Sequence, residues 1–360
     1  MKTETKADSE SKAKNPQIQN PDSKTTTPQP HNAPRSHRPH IMILATGGTI
    51  AGVAADPHSS EYQAGVLSIE TLLNTLPTTS TTLTYEQLAN IDSADMTDSL
   101  WLTLAKRVNA LLARDDIDGI VITHGSDTME ESAFFLHLTL SSGKPVVLTG
   151  AMRPSNALNP DGIANLYNAI TLASSSHAHN KGVMIVMNDT IQSARYVAKT
   201  HTHHLNALSS PNRGDMGYIA NTRAHFYYTP IEPHTTQSLF CVDTLEILPK
   251  VGIVYAYGGS NVLAQALYES RAKGIIVVGS GAGNIHCALK RTLHSLIQRG
   301  VIVVASTRVG AGRAQLREED QKSGFISARD LNPQKARVLL ALALTHTNNP
   351  AEIAQIFAQY

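Results

Sequence analysis

From about residue 40 onward, short apolar runs alternate with polar loops that often carry glycine. His40–Ala45 is apolar and ends in Thr46-Gly47-Gly48-Thr49. Gly119–Ile122 runs into Thr123-His124-Gly125-Ser126-Asp127. Pro145–Leu148 runs into Thr149-Gly150-Ala151-Met152-Arg153-Pro154, and Gly182–Met187 into Asn188-Asp189. Apolar runs this short, bounded by turn residues, read as buried strands. Between them apolar residues recur at helical spacing, as in Leu100, Leu104, Val108 and Leu111 after a hydroxyl cap at Thr97. Strands alternating with helices predict an α/β fold with a mainly parallel sheet and helices on both faces. Such sheets bind ligands in the loops beyond the carboxyl ends of their strands, so the chemistry is expected in the loops just named.

The pattern also divides the chain. Residues 1–38 hold five prolines, many Ser, Thr and Lys, and no aromatic residue. A segment of this kind buries too little apolar area to offset its ordering entropy, so a disordered tail is expected. A large N-terminal domain is expected over residues 39–228. The pattern weakens over 229–249, where Pro230, Pro233 and Pro249 fall, and this stretch reads as a linker. A smaller C-terminal α/β domain follows over 250–360. Its expected strands are Val251–Tyr255, Ile275–Val278 and Val301–Val304, with closing helices over Lys335–Leu344 and Ala351–Phe357.

Composition narrows the function. Net charge is +1 with the signs well mixed, which gives no electrostatic case for nucleic acid or an anionic membrane. No apolar run approaches the length of a membrane span. The first residues lack the apolar middle of a secretory signal, so the sequence reads as a cytoplasmic chain or as an exported chain without its signal. The two cysteines, Cys241 and Cys287, form no CxxC pair and read as two unpaired thiols.

Two loops stand out chemically. In Thr46–Gly52 the glycines let the backbone turn sharply and approach a ligand, and Thr49 adds a hydroxyl at the same spot. A tight turn with a hydroxyl cap is the ordinary use of such a triplet. No lysine follows Gly52, so this is not a phosphate-binding P-loop. In Thr123–Glu131, Asp127 can cap the following helix, bind a substrate ammonium, or do both. Gly279–Asn284 lacks the spacing of a dinucleotide fingerprint, and no cofactor is expected. His201, His203 and His204 have no acidic or thiol ligand at suitable spacing, so they read as a solvated polar stretch and no metal is expected.

Taken together, these segments resemble the bacterial-type (type II-like) L-asparaginase family. ATGGTIAG at Ala45–Gly52 matches the first family signature. ITHGSDTMEE at Ile122–Glu131 is similar to the second, with Ser126 where the family usually has Thr. GAMRP at Gly150–Pro154, DGIANLYNA at Asp161–Ala169, VMNDT at Val186–Thr190 and LNPQKARVLL at Leu331–Leu340 follow in family order. The resemblance covers roughly residue 40 to the end. It implies a cofactor-free hydrolase of asparagine catabolism, usually periplasmic, that forms a homotetramer with active sites shared between subunits. Its implied reaction is an amidohydrolase one: a threonine nucleophile attacks L-asparagine, ammonia leaves, and water releases L-aspartate from the acyl-enzyme. A glutaminase-asparaginase that also takes L-glutamine, or a non-catalytic amino-acid binding protein, is the alternative.

The resemblance implies roles residue by residue. Thr49 corresponds to the nucleophile, and Tyr62 to the tyrosine on the loop that closes over the substrate. Ser93 corresponds to the residue holding the substrate α-carboxylate. Asp127 corresponds to the binder of the α-ammonium. Ser126, Asp127 and Lys199 form the hydroxyl–carboxylate–lysine set beside the scissile amide. Asn284 and Glu318, or Glu319 in its place, correspond to the pair supplied by the neighbouring subunit. A threonine hydroxyl needs a base or proton relay at neutral pH, and Tyr62 and Lys199 are both placed by the resemblance to serve.

Overall fold

The computed structural model describes residues 38–56 and 61–360. The expectation of a disordered tail lies outside the described residues. The large sheet has eight strands: β1 (His40–Gly47), β2 (Thr82–Ile91), β3 (Gly119–Thr123), β4 (Val146–Thr149), β5 (Val183–Met187), β6 (Thr190–Ser193), β7 (Gly217–Ala220) and β8 (Arg223–Phe226). Their spatial order is β8-β7-β6-β5-β4-β3-β1-β2. The five strands from β5 to β2 run parallel, and β6, β7 and β8 continue the sheet in antiparallel pairing. The C-terminal sheet is wholly parallel, in the order β9 (Val251–Tyr255), β10 (Gly274–Gly279), β11 (Ile302–Thr307) and β12 (Phe325–Ser327). The protein is thus a mixed α/β molecule, with a large helix-flanked N-terminal sheet domain and a smaller C-terminal parallel one.

The helices are α1 (Ile69–Leu73), α2 (Asp98–Leu112), α3 (Met129–Thr139), α4 (Gly162–Ala173), α5 (Asn261–Glu269), α6 (Cys287–Gln298), α7 (Glu318–Lys322), α8 (Pro333–His346) and α9 (Pro350–Gln359). Alternate residues of β1 face opposite cores, as the period-two geometry of a strand requires. Ile41, Ile43 and Ala45 join one core with Leu166 and Ile170 of α4 and Leu72 of α1. Met42 and Leu44 join another with Leu104, Phe134, Phe135 and Leu339, from α2, α3 and α8. That second core continues into Ile276, Val278 and Val304 of the small sheet, so α8 is packed between the two sheets. The far side of the small sheet is closed by Leu289, Leu293 and Leu296 of α6.

Local detail fills in the pattern. Thr97 caps α2, its side chain accepting from Leu100 N. Pro333 and Pro350 stand in the first turns of α8 and α9, where a missing N–H costs nothing. The expected strand at Val301–Val304 is shifted and longer, because Ala305, Ser306 and Thr307 still pair with Val277, Val278 and Gly279. Residues 229–249 hold no regular element beyond a single 3-10 turn, Thr235–Gln237. Both cysteines are free and exposed.

The core also buries histidines. The His137 ring lies 4.9 Å from that of His234, tilted by 45°, and its Nδ1 accepts from Val183 N at 3.1 Å. Burial drives His137 well below the usual histidine range, and it lowers His124 and His234 too. Burial and neighbouring Glu130 push Glu131 the other way, up to about 7. The signs can be summed. Below pH about 6.5 the unfolded chain takes up three imidazole protons that the folded one resists, so stability falls with acid. Glu131 opposes this with one proton, since its raised folded value gives stability that is lost as pH rises towards 7. Three outweigh one. The free energy of unfolding should therefore rise with pH between pH 5 and 6.5. Denaturant titrations across that range test this, and a flat or falling profile would contradict it.

Candidate active site

The site grows from the end of β1. Gly47 and Gly48 have φ of 102° and 84°, and the chain then makes a 3-10 turn over Thr49–Ala51. A two-residue antiparallel ladder pairs Ala54 with Tyr62 and so returns Tyr62 to this turn. The Tyr62 ring lies against Gly52, where a Cβ would stand 2.8 Å from Cδ2. Thr49 Oγ1 and Tyr62 OH are hydrogen-bonded at 2.6 Å, and either can donate. Thr49 is buried, whereas Tyr62 is exposed at the rim.

The second loop arrives beside the first because β3 is the parallel neighbour of β1, with Thr123 opposite Ala45. The two loops touch through glycine backbones: a Cβ on Gly48 would fall 2.4 Å from Gly125 N. Ser126 and Asp127 follow Gly125 directly. A third segment, a two-residue ladder of Ala198–Lys199 with Leu208–Ser209, carries Lys199 to them. Lys199 Nζ donates to Ser126 Oγ at 2.9 Å and to Asp127 Oδ1 at 2.5 Å. Asp127 does not cap α3; its cap position is Thr128, whose hydroxyl instead donates to Ser93 O at 2.8 Å. The carboxylate is engaged by the lysine, which leaves its second oxygen for a ligand.

Thr49, Tyr62, Ser126, Asp127 and Lys199 line one cavity of 670 Å³. Its remaining wall is Met152–Pro154, Ala157–Asn159, Thr202 and His203. The place of His203 was not legible in the sequence, where the histidines read as a solvated stretch. In the fold His201 and His204 stack on each other at 3.4 Å, while His203, bonded through Nδ1 to Thr202 Oγ1 at 2.7 Å, joins the cavity wall. Ser93 is buried behind the second loop, packed on Gly125, and does not line the cavity. Asn284 is exposed and pairs only its backbone with Ser280. Glu318 is exposed and ion-paired with Lys322 at 2.7 Å, and Glu319 approaches Lys290 and Arg317. None of these three lies on the cavity wall within one chain.

The arrangement sets a buried hydroxyl, bonded to a phenol, across a cavity from an ion pair that holds a second hydroxyl. A nucleophile with a hydrogen-bonded relay and a neighbouring charged donor is the equipment of acyl transfer, and the exposed carboxylate suits an ammonium-bearing substrate.

Comparison with known proteins agrees with this geometry. A family model described as Asparaginase, N-terminal, matches residues 40–232, and one described as Glutaminase/Asparaginase C-terminal domain matches residues 250–357. The chain is 46% identical over 327 residues to L-asparaginase 2 of Escherichia coli (strain K12), covering 89% of this chain and 93% of the relative. It is 40% identical to a glutaminase-asparaginase of Pseudomonas fluorescens biotype A, covering 89% of this chain and 90% of that one. The solved structure of a probable cytoplasmic L-asparaginase from Campylobacter jejuni superposes with a TM-score of 0.88 at 51% identity, covering 90% of this chain and 100% of that one.

Proposed function

The chain belongs to the family of L-asparaginases and glutaminase-asparaginases, and from that premise we propose that it hydrolyses L-asparagine to L-aspartate and ammonia through an acyl-threonine. Thr49 Oγ attacks the side-chain amide carbon and passes its proton towards Tyr62. The C–N bond breaks, and nitrogen takes a proton to leave as ammonia. Water then attacks the Thr49 ester, restoring the hydroxyl and releasing the carboxylate. The contact at 2.6 Å between Thr49 and Tyr62, in the same cavity as Lys199, Ser126 and Asp127, is the observation that carries this reading. Asp127 receives the substrate ammonium. Lys199, in ion-paired form, polarises Ser126 or a water and stabilises developing negative charge. Ser93 takes the α-carboxylate once substrate draws the second loop around it.

Residues 39–228 and 250–360 are the two domains in this reading, joined by 229–249. Asn284 and Glu318 complete the neighbouring subunit's cavity in a homotetramer, in keeping with their exposure away from the cavity of their own chain. Placement in the periplasm is supported by the resemblance and by a relative named as a probable periplasmic L-asparaginase, and the Campylobacter protein, described as cytoplasmic, is the counterexample. Among the described residues no helix is long and apolar enough to cross a membrane.

The second reading, a glutaminase-asparaginase, is favoured by the Pseudomonas relative. One extra methylene is worth about 1–3 kcal/mol of discrimination in a closed site, so the first reading expects asparagine to be favoured by about 10–200-fold in kcat/KM and the second expects that margin to be lost. Ammonia release measured side by side from L-asparagine and L-glutamine decides it. Strong release from asparagine alone supports the first reading, comparable rates support the second, and release from neither overturns both.

A further inference from the structure

The LNPQKAR segment that opens α8 contributes nothing to the cavity wall, yet it buries a lysine. Lys335 is 2% exposed, and its ammonium donates to the carbonyls of Ala194 at 2.8 Å, Arg195 at 3.2 Å and Val197. Three donors meet three acceptors. Those carbonyls belong to the irregular stretch between β6 and the ladder that presents Lys199, where no strand partner serves them. Three residues upstream, Asn332 divides its amide between two tasks. Its Oδ1 accepts from Lys335 N at 3.0 Å and caps α8, while its Nδ2 donates to Glu130 Oε2 at 2.7 Å. Glu130 is buried and lies three residues beyond Asp127, in the first turn of α3. One turn of the C-terminal domain therefore grips both backbone segments that meet at the Lys199–Ser126–Asp127 contact.

We infer that Asn332 and Lys335 are positioning residues, which set the distance of Lys199 from Ser126 and Asp127 by holding Glu130 on one side and residues 194–197 on the other. This rests on the proposed reaction only for its effect on rate; the clasp itself is a statement about the fold. Arg337, two residues beyond Lys335, holds Asp98 of α2 at 2.8 Å, which anchors α8 outside the clasp, and the Arg195–Asp330 pair at 2.9 Å adds a second tie between residues 194–197 and the segment before α8. Loss of one clasp bond should loosen the catalytic set without unseating the helix.

Asn332→Ser isolates the effect, because serine retains a cap but is too short to reach Glu130. The variant is expected to melt within a few degrees of the parent. It should lose about tenfold in kcat for asparagine with KM changed less than about twofold, since a displaced donor harms the transition state more than binding. Glu130→Gln, which keeps an acceptor for Asn332, should stay near parental kcat. Asn332→Ser combined with Glu130→Ala should be no slower than Glu130→Ala alone. Hydrogen exchange should quicken at residues 126–131 in Asn332→Ser and at residues 196–200 in Lys335→Met. If Lys335→Met does not fold, Asn332→Ser and the cycle with Glu130 decide alone. Faster exchange with unchanged kcat, or additive losses in the double variant, would overturn the positioning role. Unchanged exchange would overturn the clasp. A parent that releases ammonia from neither amide would defeat the proposed function instead, with exchange still reporting on the clasp.

Discussion

Thr49→Ala is expected to lower amide hydrolysis by about 10³-fold or more while leaving the fold intact. The two halves of this expectation have separate grounds. Chemically, alanine removes the atom that would form the acyl-enzyme in the proposed reaction, and the Ser126 hydroxyl, held by Lys199, does not inherit its contact with Tyr62. Structurally, Thr49 Oγ1 is hydrogen-bonded to a rim tyrosine that is 38% exposed, so water can take the vacated position and little stability is lost. Tyr62→Phe should be milder, because it removes the relay and keeps the nucleophile. The same variant tests the sharing of sites. Thr49→Ala subunits mixed with Asn284→Ala subunits should regain part of the activity, since some sites then combine an intact Thr49 with an intact Asn284. Near-parental turnover by Thr49→Ala would move the nucleophile elsewhere, and no recovery in verified mixed assemblies would place the whole site within one chain.

The strands that carry this chemistry were readable because each is a short apolar run closed by a turn. β1, β3, β4 and β5 are buried along almost their whole length, so their sequence has no polar interruption. β2 was not readable. It is the edge strand, and TLTYEQLANI mixes exposed and half-buried positions without a continuous apolar stretch. The antiparallel strands β6, β7 and β8 have four residues each, too few for periodicity to show. The site divides in the same way. Thr49, Ser126 and Asp127 follow strand ends, where the fold class itself predicts function, whereas Tyr62 and Lys199 come from two-residue ladders and were placed by family resemblance alone. Lys335 and Glu130 gave no local signal. A buried charge is understood only through its partners, and those partners lie 138–141 residues away for Lys335 and 202 residues away for Glu130. The cavity position of His203 was hidden for a related reason: the three histidines are exposed, as a solvated stretch should be, but they look alike in sequence and only the fold sorts one onto the cavity wall.

The glycines at the end of β1 make a second large effect predictable. Gly48 has φ 84° and ψ −174°, a region that only glycine occupies readily. A Cβ there would stand 2.4 Å from Gly125 N and 2.5 Å from Gly125 Cα. These are backbone atoms, and Gly125 cannot retreat, because its own Cβ position is already only 2.5 Å from Ser93 Oγ. Gly48→Ala must therefore push the Thr49 turn away from the loop that carries Ser126 and Asp127. Misplacement by about 1 Å is enough for about a 10²-fold loss of kcat/KM, and the strain should remove about 1–3 kcal/mol of stability. Strain and displacement can be separated with Gly214→Ala. Gly214 shares the left-handed backbone, at φ 75°, but a Cβ there meets nothing within 4 Å. That variant should lose about 1 kcal/mol and keep its turnover. If Gly48→Ala matches Gly214→Ala in activity as well as in stability, contact between the two glycine loops does not govern the reaction. A selective loss of turnover in Gly48→Ala would show that the nucleophile is held to the lysine-bearing half of the site by the close approach of two bare backbones.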